Sequence, residues 1–259
     1  MKKLRLHLRL TRLLLVISFG TLLAAGISVL ERLVRHDLMP TRQRLTRWFL
    51  THLAAALPFR LNVQGELHRE PMLWVSNHVS WTDIPLLGML TPLSFLSKAE
   101  VRTWPVAGWL AHKAGTLFIR RGSSDSGLLN QQLGNHLQRG RNLLIFPEGT
   151  TTDGQALRTF HGRLLSSAID SGVQVQPVAI RYLRDGKPCS VAPFIGEDDM
   201  LSYLLRLLGS DLGEVQIQLL TPIASHAYNR NALAREAQQA ISLALYGAAP
   251  LVEESEQAA

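Results

Sequence analysis

Six short apolar runs recur along the chain, at residues 72–76, 93–97, 116–119, 142–146, 175–182 and 215–220. Each is four to eight residues long and almost free of polar interruption. Strands covered on both faces look like this, whereas a half-solvated strand would alternate. Helical patterns lie between or after the runs, at 83–90, 126–138, 164–171, 198–208 and 230–245, and Gly140 stands just past the second of them as a stop signal. The alternation predicts an α/β layered domain with a mostly parallel or mixed sheet flanked by helices.

Ahead of that domain, residues 13–30 form an 18-residue run without a charge, bounded by Arg12 and Glu31. At about 1.5 Å per residue such a helix falls just short of a bilayer core of about 30 Å. Ser18, Gly20, Thr21, Gly26 and Ser28 dilute it. A membrane span or deep insertion, a helix lying in the membrane surface and a cleaved signal peptide are its three readings. Residues 41–57 read as an amphipathic helix, with Arg42, Arg44 and Arg47 at its start and Pro58 as its terminator. That helix is either interfacial or packed on the domain with its arginines solvated. The expected organisation is a membrane-associating helical segment over 1–60, the α/β domain over 61–250 and a disordered acidic tail over 251–259.

The charge supports this division. The net charge is +7, yet residues 1–60 carry 11 Lys or Arg against two acids, and the rest of the chain is net negative. A groove for nucleic acid needs basic residues across the folded part, so no nucleic-acid partner is expected. A basic segment beside an apolar one suits an anionic lipid surface. The single cysteine, Cys189, excludes an internal disulfide and reads as a packing residue.

Three clusters carry chemistry. The first is Asn77-His78-Val79-Ser80-Trp81-Thr82-Asp83, after an apolar run and before a helix. Sites of α/β sheets sit at such strand ends. A turn would fold Asp83 back onto His78, fixing one ring N–H and leaving the other nitrogen to accept a proton. The composition alone yields a His with Asp five residues on about 0.3 times by chance, and Asp83 is equally readable as a helix cap. The second cluster is Phe146-Pro147-Glu148-Gly149-Thr150-Thr151-Thr152-Asp153, a polar loop leaving a buried strand. It suits a polar head group or a developing oxyanion. The third, Gly115-Thr116-Leu117-Phe118-Ile119-Arg120-Arg121, ends a strand in paired cations that suit an anion.

Together, and with a later Pro177-Val178 strand, these clusters resemble the glycerolipid acyltransferases of the 1-acyl-glycerol-3-phosphate acyltransferase type. Order and spacing agree over about residues 60–220. The resemblance implies a membrane-associated enzyme that moves a fatty acyl group from acyl-CoA or acyl carrier protein to a lysolipid hydroxyl. It implies His78 as general base and Asp83 as its orienting partner. Arg121 would hold an anionic group, Glu148, Gly149 and Thr150 would line the acceptor site, and Pro177 would lie near a substrate pocket. It implies no metal or other cofactor, and a place at the inner, cytoplasmic membrane with the site facing the cytoplasm.

One position departs from the family. Phosphate-binding members carry Arg directly after Glu-Gly-Thr, where this chain has Thr151. Either Lys98, Arg120, Arg121 or Arg158 supplies the missing cation, or the acceptor has no terminal phosphate. In this the chain resembles the bacterial branch that acylates lyso-ornithine lipid. Two other classes stay in view: a lipid-binding protein without turnover, and a hydrolase. The first needs no His–Asp pair, and the chain has no Gly-x-Ser-x-Gly elbow for the second. Trp104, Pro105, Gly108 and Trp109 read either as an acyl tunnel or as packing.

Overall fold

The computed structural model describes residues 2–34, 38–119, 126–196 and 198–247. Two helices come first, α1 (Lys2–Val34) and α2 (Met39–Ala56). There follow β1 (Phe59–Gln64), β2 (Leu73–Ser76), α3 (Asp83–Gly88), β3 (Leu93–Lys98), α4 (Ala107–Lys113), β4 (Leu117–Ile119), α5 (Ser126–Gln138) and β5 (Asn142–Ile145). The chain continues through α6 (Ser166–Ser171), β6 (Val175–Arg184), β7 (Lys187–Pro188), α7 (Met200–Gly209), β8 (Gly213–Leu219) and α8 (Arg230–Tyr246).

The sheet runs β1-β8-β6-β2-β5-β3-β4, with β7 paired to β6. Strands β6, β2, β5, β3 and β4 are mutually parallel. β8 is antiparallel to β6, and β1 is parallel to β8. The sheet is therefore mixed, and all six apolar runs are strands in it. β1 and α4 lie outside the predicted elements. β1 is an edge strand with alternating Phe59, Leu61 and Val63, a period-2 pattern weakened by exposure on most of its positions. α4 is seven residues long and mostly exposed, too short to show a periodic face.

Period-2 alternation sorts the strand side chains into two cores. Trp74, Leu144, Ile180, Tyr182, Ile217 and Leu219 face α1, α2, α3 and α7. Leu73, Val75, Leu143, Ile145, Val175 and Ala179 face α5, α6 and α8. Both faces are covered along β2, β5 and most of β6, which accounts for the near-continuous runs there, whereas β8 alternates buried and half-buried positions. Leu144 is completely buried, and truncating it to alanine would cost about 2–5 kcal/mol.

The N-terminal helices differ from expectation in one respect. α2 packs on the domain through Leu50, Leu53, Ala54 and Ala56, and Arg42 is buried with them rather than solvated. Its guanidinium makes a two-pronged ion pair with Glu31 and also donates to the Lys113 carbonyl at 3.0 Å. α1 is docked along its length. Arg5 pairs with Asp211 at 2.7 Å, and Arg9 donates to the Leu208 and Ser210 carbonyls at the end of α7. Midway, Gly20 lets the Phe49 ring approach so closely that a Cβ would sit 2.4 Å from it. The outer face is apolar: Leu8, Leu15, Leu22 and Leu33 are among its exposed residues. The helix is long and apolar enough to cross a membrane, and its most apolar 18-residue window is 11% buried.

Candidate active site

The site grows from the C-terminal ends of β2 and β5, adjacent parallel strands whose chains leave the sheet at the same edge. Just past β2, Asn77 acts as a strand partner made from a side chain. Its amide donates to the Ile180 carbonyl and its Oδ1 accepts the Ile180 N–H, both at 2.9 Å. That fixes the backbone entering His78.

His78 and Asp83 meet. His78 Nδ1 lies 2.7 Å from Asp83 Oδ2, with the carboxylate completely buried and the imidazole side chain 18% exposed. The same oxygen accepts the backbone N–H groups of Val79 at 2.8 Å and Ser80 at 3.0 Å. The turn closes through Asp83 N–H to the Ser80 carbonyl at 3.1 Å. Capping the turn and orienting the histidine are thus performed by one carboxylate, and the two sequence readings of Asp83 coincide. With Nδ1–H committed to the carboxylate, the lone pair is on Nε2, toward the open side. The imidazole stacks on Phe146 with centroids 3.8 Å apart and planes 10° from parallel.

The loop after β5 holds the same backbone from the other side. Glu148 is buried, and its Oε1 accepts the His78 N–H at 2.8 Å while Oε2 accepts the Arg158 N–H at 2.9 Å. Burial pushes its carboxyl pKa up, and the backbone bonds from Arg158 and His78 pull against that. Both oxygens are thus engaged in fixing the loop around His78. Gly149 turns with φ +70°, a conformation that favours glycine, and Thr150 follows half-buried. Thr152 N–H donates to the His78 carbonyl at 2.8 Å, and Phe194 N–H to the Val79 carbonyl at 3.0 Å. Thr151 donates its hydroxyl to the Phe194 carbonyl and ties this loop to the next.

The remaining predicted residues are more dispersed. Pro177 is buried mid-sheet on β6, in register with Val75. Its carbonyl accepts Leu220 N–H at 3.0 Å where the β6–β8 ladder ends, so the missing proline N–H falls at a ladder terminus. Arg121 lies outside the described residues, as does Arg120. β4 ends beside them at Ile119, paired with Lys98. Trp104 and Trp109 are exposed, Cys189 is buried packing, and burial lowers His136 to about 4.

Two residues escaped the sequence reading. The Tyr182 hydroxyl donates to Asp83 Oδ1, and burial first, then the Asp83 charge, pushes its pKa well above the ordinary phenol value. Tyr203 donates to the Ala192 carbonyl at 2.6 Å and lies 2.7 Å from Ser80 Oγ, so Ser80 is the donor in that bond. Tyr182 lies 99 residues from Asp83 and Tyr203 lies 123 from Ser80, and no local pattern announces either contact.

Comparison with known proteins agrees with this geometry. Residues 60–181 match the acyltransferase family. A lyso-ornithine lipid O-acyltransferase of Pseudomonas aeruginosa is 66% identical over 249 residues, covering 96% of both chains. A 1-acyl-sn-glycerol-3-phosphate acyltransferase of Neisseria gonorrhoeae is 33% identical over 72% of this chain and 75% of its own. The crystal structure of the 1-acyl-sn-glycerophosphate acyltransferase of Thermotoga maritima shares the fold, with a TM-score of 0.65 and 19% identity over 93% of this chain and 97% of that one. A chain with this sheet, this histidine–aspartate turn and these relatives belongs to the acyltransferase family.

Proposed function

We propose that this protein transfers a fatty acyl group from a thioester, acyl-CoA or acyl carrier protein, to the free hydroxyl of lyso-ornithine lipid at the cytoplasmic face of the inner membrane. The observation that carries the reading is the His78–Asp83 pair, anchored on one nitrogen and open at the other. Nε2 takes the proton of the acceptor hydroxyl as its oxygen attacks the thioester carbonyl. Asp83 stabilises the imidazolium that results. Collapse of the tetrahedral adduct breaks the C–S bond, and the imidazolium returns the proton to the departing sulfur. A thiol with a pKa of about 8.5 is an easy leaving group, so the protein's work is to position and deprotonate the alcohol.

Two observations support this acceptor. The relative of 66% identity is a lyso-ornithine lipid O-acyltransferase. Thr151 offers a hydroxyl already bonded to Phe194, not a guanidinium that could grip a terminal phosphate. The relatives of 33% identity act on 1-acyl-glycerol-3-phosphate, which makes that lysolipid the competing acceptor. The apolar outer face of α1 and the basic N-terminal segment favour membrane association.

The test is acyl transfer by the purified protein in mixed micelles, with both donors, against lyso-ornithine lipid, lysophosphatidate and a zwitterionic lysophospholipid. Product with lyso-ornithine lipid is expected, and His78→Ala should lose about 10³-fold or more in rate. Full activity in that variant would remove the base assignment. A preference for lysophosphatidate would remove the acceptor assignment and leave the chemistry standing.

A further inference from the structure

Asp83 Oδ2 collects three donors, from His78 Nδ1, Val79 N–H and Ser80 N–H. Oδ1, on the same fully buried carboxylate, is bonded by the Tyr182 hydroxyl. That phenol has one proton, which it gives to Asp83. It must therefore be the acceptor in its 2.8 Å bond with Thr82 Oγ1, so donation runs from Thr82 to Tyr182 to Asp83, and His78 donates to the other oxygen of the same carboxylate. Each of these hydroxyls is buried. Tyr182 is held in place on β6 opposite Val215, with its ring edge-on to Phe59 at 5.2 Å. It joins the histidine turn to the far side of the sheet.

We propose that Tyr182 is a positioning residue for the acyl transfer, holding the Asp83 carboxylate ionised and in register with His78, with Thr82 orienting the phenol. The proposal rests on the reading of His78 as general base. A buried carboxylate stays charged only if donors satisfy it, and a bond to a charged group is stronger than one between neutral groups. The hydroxyl dipole also points its positive end at the pair, which disfavours extra protons on either member. The ionisable groups around the carboxylate are His78 ahead of α3, Glu148 after β5, Tyr182 on β6 and Tyr203 on α7. α2 packs on α3 from outside, and its Arg47 bonds the Met89 carbonyl. Removing the Tyr182 hydroxyl therefore raises the proton affinity of the His78–Asp83 unit. Because the reaction needs neutral His78 beside ionised Asp83, the acid side of the rate profile moves to higher pH.

The experiment measures kcat and KM against pH in mixed micelles for the full chain, Tyr182→Phe and Thr82→Val, beside His78→Ala as the control on the base reading. In Tyr182→Phe, kcat is expected to fall by on the order of tenfold, KM for both substrates to hold, and the acid limb to rise by about one pH unit. Thr82→Val should move the limb the same way by less. A packing role alone would lower the unfolding temperature or the active fraction and leave the limb where it was. An unmoved limb in a folded Tyr182→Phe overturns the proposal. Should that variant fail to fold, an unmoved limb in Thr82→Val does so instead. Retained activity in His78→Ala, by contrast, strikes the base reading itself.

Discussion

The helical pair at the N-terminus and the edge of the sheet handle buried charge in opposite ways. Arg42 and Glu31 bury a cation against an anion, so the joint between α1, α2 and α4 is electrically closed. Asp83 and Glu148 bury anions whose described bonds come from backbone N–H groups, an imidazole and a phenol. Dipoles satisfy a carboxylate without cancelling its charge. The first arrangement fixes a helix against a domain. The second keeps negative charge where a histidine must become positive in mid-reaction. The same contrast holds for apolar surface, which the sheet buries on both faces and α1 leaves facing outward.

Breaking the site side of this contrast should have the largest effect. Glu148→Gln keeps the shape but turns an N–H donor toward one of the two backbone N–H groups that Glu148 now accepts. Activity is expected to fall about 10²-fold in a steady-state acyl-transfer assay, with vesicle binding unchanged. An active Glu148→Gln would mean that neither the second acceptor nor the charge is needed to hold the His78 loop.

Breaking the joint should be felt in stability instead. Arg42→Ala removes the two-pronged bond to Glu31, whose side chain is 28% exposed, and the bond to the Lys113 carbonyl, and should cost about 2 kcal/mol once solvent screening is allowed for. Thermal unfolding would register it, and the double variant Arg42→Ala, Glu31→Ala should lose less than the sum of the two single losses. Independent, additive losses would show that the pair is not the joint. The smallest effect on the fold belongs to the outer face of α1. Leu15→Ser with Leu22→Ser, at side chains 65% and 70% exposed, should change domain stability by no more than about 0.5 kcal/mol. Flotation with vesicles should fall markedly in the same variant, since each buried leucine contributes about 2 kcal/mol. Unchanged flotation would move the membrane contact elsewhere on the protein.

The sheet was legible because burial on both faces writes itself into local sequence as uninterrupted runs. β1 was not, because an edge strand with exposed positions carries a weak pattern. The grouping of His78, Asp83 and Glu148 was legible because each follows a strand exit, and adjacent parallel strands bring their exits together. Their partners were not. Tyr182 and Tyr203 look like ordinary core aromatics in sequence, and only the crossing of β6 and α7 over the histidine turn brings their hydroxyls to Asp83 and Ser80. The two backbone N–H groups that Glu148 holds around His78 were not legible either, since one of them comes from Arg158 across the loop.

Sequence alone therefore determined the α/β layering, the apolar N-terminal helix and the histidine–aspartate turn, since each depends on neighbours within a few residues. Tertiary structure decided the mixed strand order, the burial of Arg42 and the four-donor environment of Asp83. Each of those depends on which distant segments share a dry interior, where an unsatisfied polar group is costly and most donors find an acceptor.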